Sequence, residues 1–200
     1  MYLETDRLIV RSIQPSDEKA FVEMASDGSL WEIFGDCSEC HMWMGEWITD
    51  AMKMEKMNNP FQEYLAFVIV DKDSQEVMGS VGSSFYEDFN EVGVTYFIGA
   101  KYRGHGYATE ALRALVGYLY TTYEMNRLVA TASVQNPASC KTLENAGFVL
   151  VETKMYQEMY DECATLSNIY EHLRKPMDEE IGFTNIMYSK EWEKEEKSGY

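Results

Sequence analysis

Basic charge is what this chain has least of for its size. Its 17 Lys and Arg stand against 34 Asp and Glu, a formal net charge of −17 over 200 residues. Phosphate backbones are bound through clustered cations, so general nucleic-acid binding is excluded. A negative field instead suits a cationic acceptor such as an amine, whose local concentration it raises. Long apolar runs are absent too, and no stretch approaches the roughly 20 apolar residues of a membrane span. The opening MYLETDRLIV carries acids where a secretion signal has a basic region and an apolar core. A soluble cytoplasmic protein with neither membrane nor nucleic-acid partners is expected. Prolines number four, and no repeat or low-complexity segment is visible, so 46% hydrophobic content reads as the core of a single domain over residues 1–200.

Cysteine is limited to four residues. Cys37-Ser38-Glu39-Cys40-His41 matches the C-x-x-C-H pattern of haem attachment, which takes place in exported proteins. The segment leads into an amphipathic helix, where Cys serves as a small hydrophobe. Zinc would need a fourth ligand from a second Cys/His pair, which the sequence lacks. Neither haem nor a metal is expected, and Cys140 and Cys163 should remain reduced. Two nucleotide motifs are missing as well. No Gly-Lys-Ser/Thr tripeptide marks a P-loop, and the dinucleotide pattern G-x-G-x-x-G loses its third glycine at Thr109.

What is present is concentrated in EVGVTYFIGAKYRGHGYATEA, Glu91 to Ala111. Val92–Ile98 is rich in β-branched and aromatic residues and reads as a strand. From Tyr107 the pattern is helical, with Ala111, Leu112, Leu115, Val116, Leu119 and Tyr120 on one face. Between them Gly104 and Gly106 let the backbone bend and approach a ligand closely. The helix behind them has unpaired N–H groups and a positive dipole end. Strand, basic glycine turn and helix N-terminus predict a pyrophosphate cradle, with Lys101 and Arg103 as local basic charge.

Arg103, Gly106 and Ala108 occupy the fixed positions of R-x-x-G-x-A, and the segment resembles the signature of the GNAT superfamily of acetyl-CoA-dependent N-acetyltransferases. LETDRLIVRSIQPSD, at residues 3–17, resembles the opening of that family's ribosomal-protein-alanine and -serine branch. Asn136 to Phe148, NPASCKTLENAGF, resembles its N-x-x-S…GF segment. Together the three cover roughly residues 3 to 150. The resemblance implies an α/β (α+β) GNAT fold, a mixed and mostly antiparallel sheet of about seven strands flanked by helices, the fourth and fifth strands splayed. Strands are predicted at Leu3–Ile13, Tyr64–Val70, Val77–Tyr86, Val92–Ile98, Arg127–Ser133 and Val149–Thr153, with the last delayed to Gly182–Tyr188. The delay follows from a helical period over residues 155–175, read as an inserted helix between the last two strands, serving the core or a homodimer. Residues 189–200 read as a polar tail.

Implied too is attack by an amine, of a protein N-terminus or a small molecule, on the acetyl group of acetyl-CoA. The diphosphate would lie on Arg103, Gly104, His105, Gly106, Tyr107, Ala108 and Thr109. Phe97 and Ile98 would offer backbone groups to the acetyl carbonyl, and Asn136 would bind the pantetheine chain or a water near the sulfur. Glu91 is the candidate base. Seven residues after Asn136, where many members carry a proton-donating Tyr, stands Leu143, so Ser139 is the candidate substitute. Trp31 and Phe34 are the candidates for reading the acceptor. The alternative function is a non-catalytic acyl-CoA sensor, which the missing Tyr favours and the intact cradle does not.

Overall fold

The computed structural model describes residues 1–157 and 163–174. Where one strand is predicted over Leu3–Ile13, two form: β1 (Tyr2–Glu4) and β2 (Leu8–Ser12). Thr5 breaks the run, because its hydroxyl takes the Leu8 N–H at 2.9 Å and its own N–H bonds the Leu8 carbonyl. Then come α1 (Glu18–Ser26), the single turn α2 (Trp31–Phe34) and α3 (Cys40–Met57). The meander β3 (Leu65–Asp71), β4 (Val77–Tyr86) and β5 (Glu91–Ile98) follows, as predicted. Helix α4 (Tyr107–Tyr123) crosses to β6 (Arg127–Ser133), and α5 (Pro137–Asn145) leads to β7 (Val149–Tyr156) and β8 (Thr165–Leu173).

All eight strands make one sheet in the order β1-β2-β3-β4-β5-β6-β8-β7. Helices cover both faces of its middle. On β3, Leu65, Phe67 and Ile69 join the core under α4, while Ala66, Val68 and Val70 join the core under α1 and α3. Strand alternation sends these two sets to opposite faces, which is why YLAFVIV is apolar throughout. The entry to α1 rests on Asp17. Buried Asp17 receives both guanidinium nitrogens of Arg11, at 2.8 and 2.9 Å, and the Gln14 N–H at 2.8 Å.

The predicted helix over 155–175 is overturned. Residues through Tyr156 continue β7, and Thr165–Leu173 is β8, inserted between β6 and β7 and paired antiparallel to both. Such a position satisfies β8's backbone on both edges, and Tyr170 drops into the α4 core while Ile169 faces the other way. Non-local pairing outweighs the local three- and four-residue spacing. Residues 158–162, Gly182–Tyr188 and the 189–200 tail lie outside the described residues. Among the described residues no helix is long and apolar enough to cross a membrane.

One irregularity positions the site. β4 and β5 pair along their whole length, from Tyr86–Glu91 to Gly79–Ile98. β5 and β6, parallel neighbours, share register among the described residues only at Gly93–Val129. Past that pair the two strands diverge, opening a cleft toward Ile98.

Candidate active site

The cradle lies at the wide end of the cleft. After Ile98 a short 3-10 turn (Ala100–Tyr102) leads to Gly104 and Gly106, which hold φ of +82° and +80°. Gly106 is the N-cap of α4 and has no side chain to satisfy the helix's first N–H groups. No acceptor among the described residues takes the N–H groups from Gly104 to Thr109; the first intrahelical bond is Glu110 N–H to Gly106 O. A Cβ at Gly104 would have open space around it. A row of amide donors at a positive helix end, beside open space, fits a diphosphate.

Three side chains fix the turn. Arg103 donates from Nε to the Ile98 carbonyl at 3.0 Å and from Nη2 to the Ser29 carbonyl at 2.8 Å. It therefore ties the turn to the end of β5 and to the loop before α2. Arg7, in the β1–β2 turn, donates from Nη1 to the His105 carbonyl at 3.0 Å and from Nε to Glu110 at 2.8 Å. Its guanidinium also lies 4.6 Å from the centroid of the Tyr107 ring. Glu110 accepts in addition from the Thr5 hydroxyl at 2.6 Å and the Arg7 N–H at 2.9 Å. Burial opposes ionisation of Glu110, but these donors outweigh it and hold its carboxyl below the usual carboxylate range. Lys101 is ion-paired with Glu76 at 3.9 Å and lies over the Tyr102 ring.

On the α5 side of the cleft, Asn136 caps α5 by accepting the Ser139 N–H at 3.0 Å. The Ser139 hydroxyl lies 2.8 Å from the Tyr96 hydroxyl, which also donates to the Ser139 carbonyl at 3.1 Å. Burial pushes the Tyr96 phenol up to about 12, although the Ser139 hydroxyl pulls the other way. The phenol thus stays protonated far beyond neutral pH. Leu143 is buried in the core, so it contributes no polar group here.

Across the sheet, the opposite face of β5 builds an aromatic wall. Phe34 packs on Phe97 at 5.3 Å and on Trp43 and Trp47 at 5.6 Å each. Phe21 meets Phe97 and Trp47 edge-on. Trp31 stands outside this cluster, 62% exposed on α2. Glu91 opens β5 at the other end, 3.7 Å from Arg127, which also pairs with Glu171 at 3.0 Å. Seven residues separate Glu91 from Ile98, about 23 Å along a strand. Between them the Tyr86 ring lies over Gly93, where any Cβ would come within 2.1 Å of it.

The structure therefore brings the glycine turn, Phe97, Ile98, Asn136, Ser139 and Phe34 around one cleft, and leaves Glu91 and Trp31 apart. Sequence reasoning missed Tyr96, Arg7 and Glu110. In the sequence Tyr96 is one more strand aromatic, and the Arg7–Glu110 contact joins residues 103 positions apart. Cys37 and Cys40 are buried, with Cys40 beside the Ser26 hydroxyl at 3.5 Å, and His41 is exposed. Among the described residues no group of His, Cys, Asp and Glu could hold a metal ion.

The sequence matches the description Acetyltransferase (GNAT) domain over residues 7–149. It is 29% identical over 154 residues to the N-acetyltransferase p20 of Bacillus licheniformis, covering 73% of this chain and 81% of that one. It is 27% identical over 154 residues to the ribosomal protein uS5-alanine N-acetyltransferase of Escherichia coli K12, covering 73% and 77%. In three dimensions it resembles RimL, the ribosomal L7/L12 alpha-N-protein acetyltransferase solved with coenzyme A, with a TM-score of 0.72 at 16% identity over 86% of this chain and 98% of that one. With splayed strands, a glycine turn and a helix N-terminus arranged as above, this chain belongs to the GNAT acetyltransferase family and is an acyltransferase, with ribosomal-protein N-acetyltransferases among its relatives.

Proposed function

We propose that the protein transfers the acetyl group of acetyl-CoA to a primary amine, of a protein N-terminus or a small molecule, by direct attack in a ternary complex in the cytoplasm. The observation that carries this reading is the uncommitted row of N–H groups from Gly104 to Thr109 at the mouth of the β5–β6 cleft. The coenzyme's diphosphate sits on that row. Its pantetheine arm follows β5 past Asn136, which directs α5 toward it. A backbone N–H of Ile98 or a neighbour stabilises the carbonyl oxygen as charge grows there. The aromatic wall around Phe34 and Phe97 borders the acceptor, and Trp31 reads it from the rim.

The amine forms the new C–N bond, the C–S bond breaks, and the thiolate takes one proton while the nitrogen loses its own. Ser139 is the proposed donor to sulfur, with the protonated Tyr96 hydroxyl bonded behind it, and water returns to Ser139 the proton it gives up, so the pair ends as it began. Glu91, about 23 Å from Ile98 along β5 and beside Arg127, is too far to take the nitrogen's proton directly, so that proton leaves to solvent water. The expected result for Ser139→Ala is a fall in kcat of about 10- to 100-fold, with KM for acetyl-CoA changed less than about threefold. Tyr96→Phe should cost less, because it acts through Ser139. A raised folded pKa gives the Tyr96 contact its full stabilising contribution below about pH 10, lost as pH rises toward about 12. The pH–rate profile should therefore show no break from this pair between pH 6 and 10.

The deciding experiment incubates the protein with acetyl-CoA and a panel of amines, including peptides beginning with Ala or Ser, and follows free thiol. Acceptor-dependent thiol release is expected. Tight coenzyme binding with no release for any amine would replace this reading by the acyl-CoA sensor.

A further inference from the structure

The cradle and α4 lie on one side of the sheet, so an attacking amine comes through the β5–β6 opening from the other. Strand alternation assigns the residues of that acceptor side. Leu128, Ala130 and Ala132 of β6 enter the core under α4, so Thr131 and Ser133 face the acceptor side. Val94 of β5 and Tyr170 of β8 also enter that core, which places Thr95 and Ser167 with them. Ser133 stands directly opposite Ser167 in the β6–β8 pairing. The Thr131 hydroxyl lies 3.5 Å from that of Tyr86, whose ring covers Gly93. On β7 the Thr153 hydroxyl bonds Asn168, which in turn reaches Cys140 of α5. Glu152, Lys154 and Tyr156 therefore share the acceptor side. Over this surface runs an aromatic bridge. Phe89, in the 3-10 turn between β4 and β5, lies 6.1 Å from the Tyr86 ring, 5.5 Å from the Tyr156 ring and 5.5 Å from Lys154 Nζ. In the sheet β6 and β8 stand between β5 and β7, a span of about 14 Å at three strand spacings. A contact from the β4–β5 turn to β7 on this side passes above both of them.

We propose that this surface is the acceptor pocket for a small primary amine that bears hydroxyl groups and no carboxylate, an amino sugar for example, and not for a polypeptide N-terminus. The proposal rests on the acetyl-transfer reading and selects one acceptor class within it. Length is the first reason. An extended peptide advances about 3.3 Å per residue. With its amine at the β5–β6 opening, its second and third residues fall over β6 and β8, under the Phe89–Tyr156 contact. A small acceptor stops short of that bridge. Polarity is the second reason. Thr95, Thr131, Ser133 and Ser167 present hydroxyls, each able to donate and to accept, and these match an acceptor that carries hydroxyls of its own. Charge is the third. The two cations that β5 to β8 place on this side are already paired, Arg127 with Glu91 and Glu171 and Lys154 with Glu152 at 2.8 Å. Three carboxylates against two paired cations repel an acceptor carboxylate and suit an amine.

The test follows thiol release from acetyl-CoA by the full chain with glucosamine, hexylamine, serine and tetra-alanine amide as acceptors. For wild type, kcat/KM with glucosamine should exceed that with each of the others at least about 100-fold. Thr131→Val keeps the side-chain shape and removes the hydroxyl. It should raise KM for glucosamine about tenfold and change kcat less than about threefold. Phe89→Ala removes the bridge and should raise kcat/KM for tetra-alanine amide at least about tenfold, with KM for acetyl-CoA within about threefold of wild type. A thermal melt checks each fold, and if Phe89→Ala does not fold, Phe89→Leu should give the same gain at about threefold. Thiol release that prefers tetra-alanine amide, serine or hexylamine overturns the proposal and leaves acetyl transfer standing. Kinetics with glucosamine and the peptide that neither variant alters overturn it too. No release with any amine removes the acetyl-transfer reading itself, and this pocket with it.

Discussion

Gly106→Val is expected to raise the dissociation constant for coenzyme A by at least about 100-fold, while the protein stays folded. Gly106 holds φ of +80° and caps α4. In that region a β-branched residue is strained by about 1–2 kcal/mol or more, so the turn relaxes toward negative φ. The space itself is not the obstacle, because the nearest atom to an added Cβ is Arg7 Nη2 at 3.7 Å. What changes is the direction of the amides on either side of Gly106. Each N–H bonded to a charged oxygen is worth about 1.5–3 kcal/mol, and misdirecting two of them gives the hundredfold figure. Calorimetry with coenzyme A measures the loss, and a thermal melt checks the fold. Gly104→Val, at φ of +82° with nothing within 4 Å, should behave alike. An unchanged affinity in both variants would remove the diphosphate from this turn.

The cradle was legible because it is a local object. Glycines at two fixed positions, a strand before them and a helix after them all fall within about twenty residues, and each follows from backbone geometry. The splay needed the family resemblance, since nothing in the residues of β5 or β6 alone says that neighbouring strands part at Gly93–Val129. β8 hides in the sequence for a related reason. Leu166, Ile169, Tyr170 and Leu173 happen to fall at helical steps, yet the strand they form is decided by pairing with β6, some forty residues earlier. Tyr96 shows what a face assignment adds. On β5, Val92, Val94 and Ile98 of the same face enter the α4 core, and Tyr96 alone carries a hydroxyl to the start of α5. Its partner Ser139 lies 43 residues on, beyond the reach of any local pattern.

Glu110→Ala is expected to lower both stability and coenzyme affinity, although Glu110 is not proposed to touch the coenzyme. Its carboxylate gathers the Thr5 hydroxyl, the Arg7 amide and the Arg7 guanidinium, and so holds the β1–β2 turn against the first turn of α4. Through Arg7 it also fixes the His105 carbonyl away from the cradle, leaving the following N–H groups facing inward. Truncation strands a guanidinium and a hydroxyl at a partly buried site, a loss of about 2–3 kcal/mol. For a chain of this size that corresponds to about 5–10 °C in Tm. Coenzyme affinity should fall about tenfold, because Arg7 is then free to let the turn reorient. Arg7→Lys should reproduce most of the effect, since one ammonium cannot bond Glu110 and His105 while also stacking on Tyr107. The pH dependence has a definite sign. With a lowered folded pKa, the Glu110 contribution is complete above the ordinary carboxylate range and is lost as pH falls through the folded value. Wild type and Glu110→Gln should therefore differ in stability at pH 7 and converge in acid. A lower Tm with unchanged coenzyme affinity would reduce the latch to a structural tie between two turns, and the orientation of His105 would need another cause.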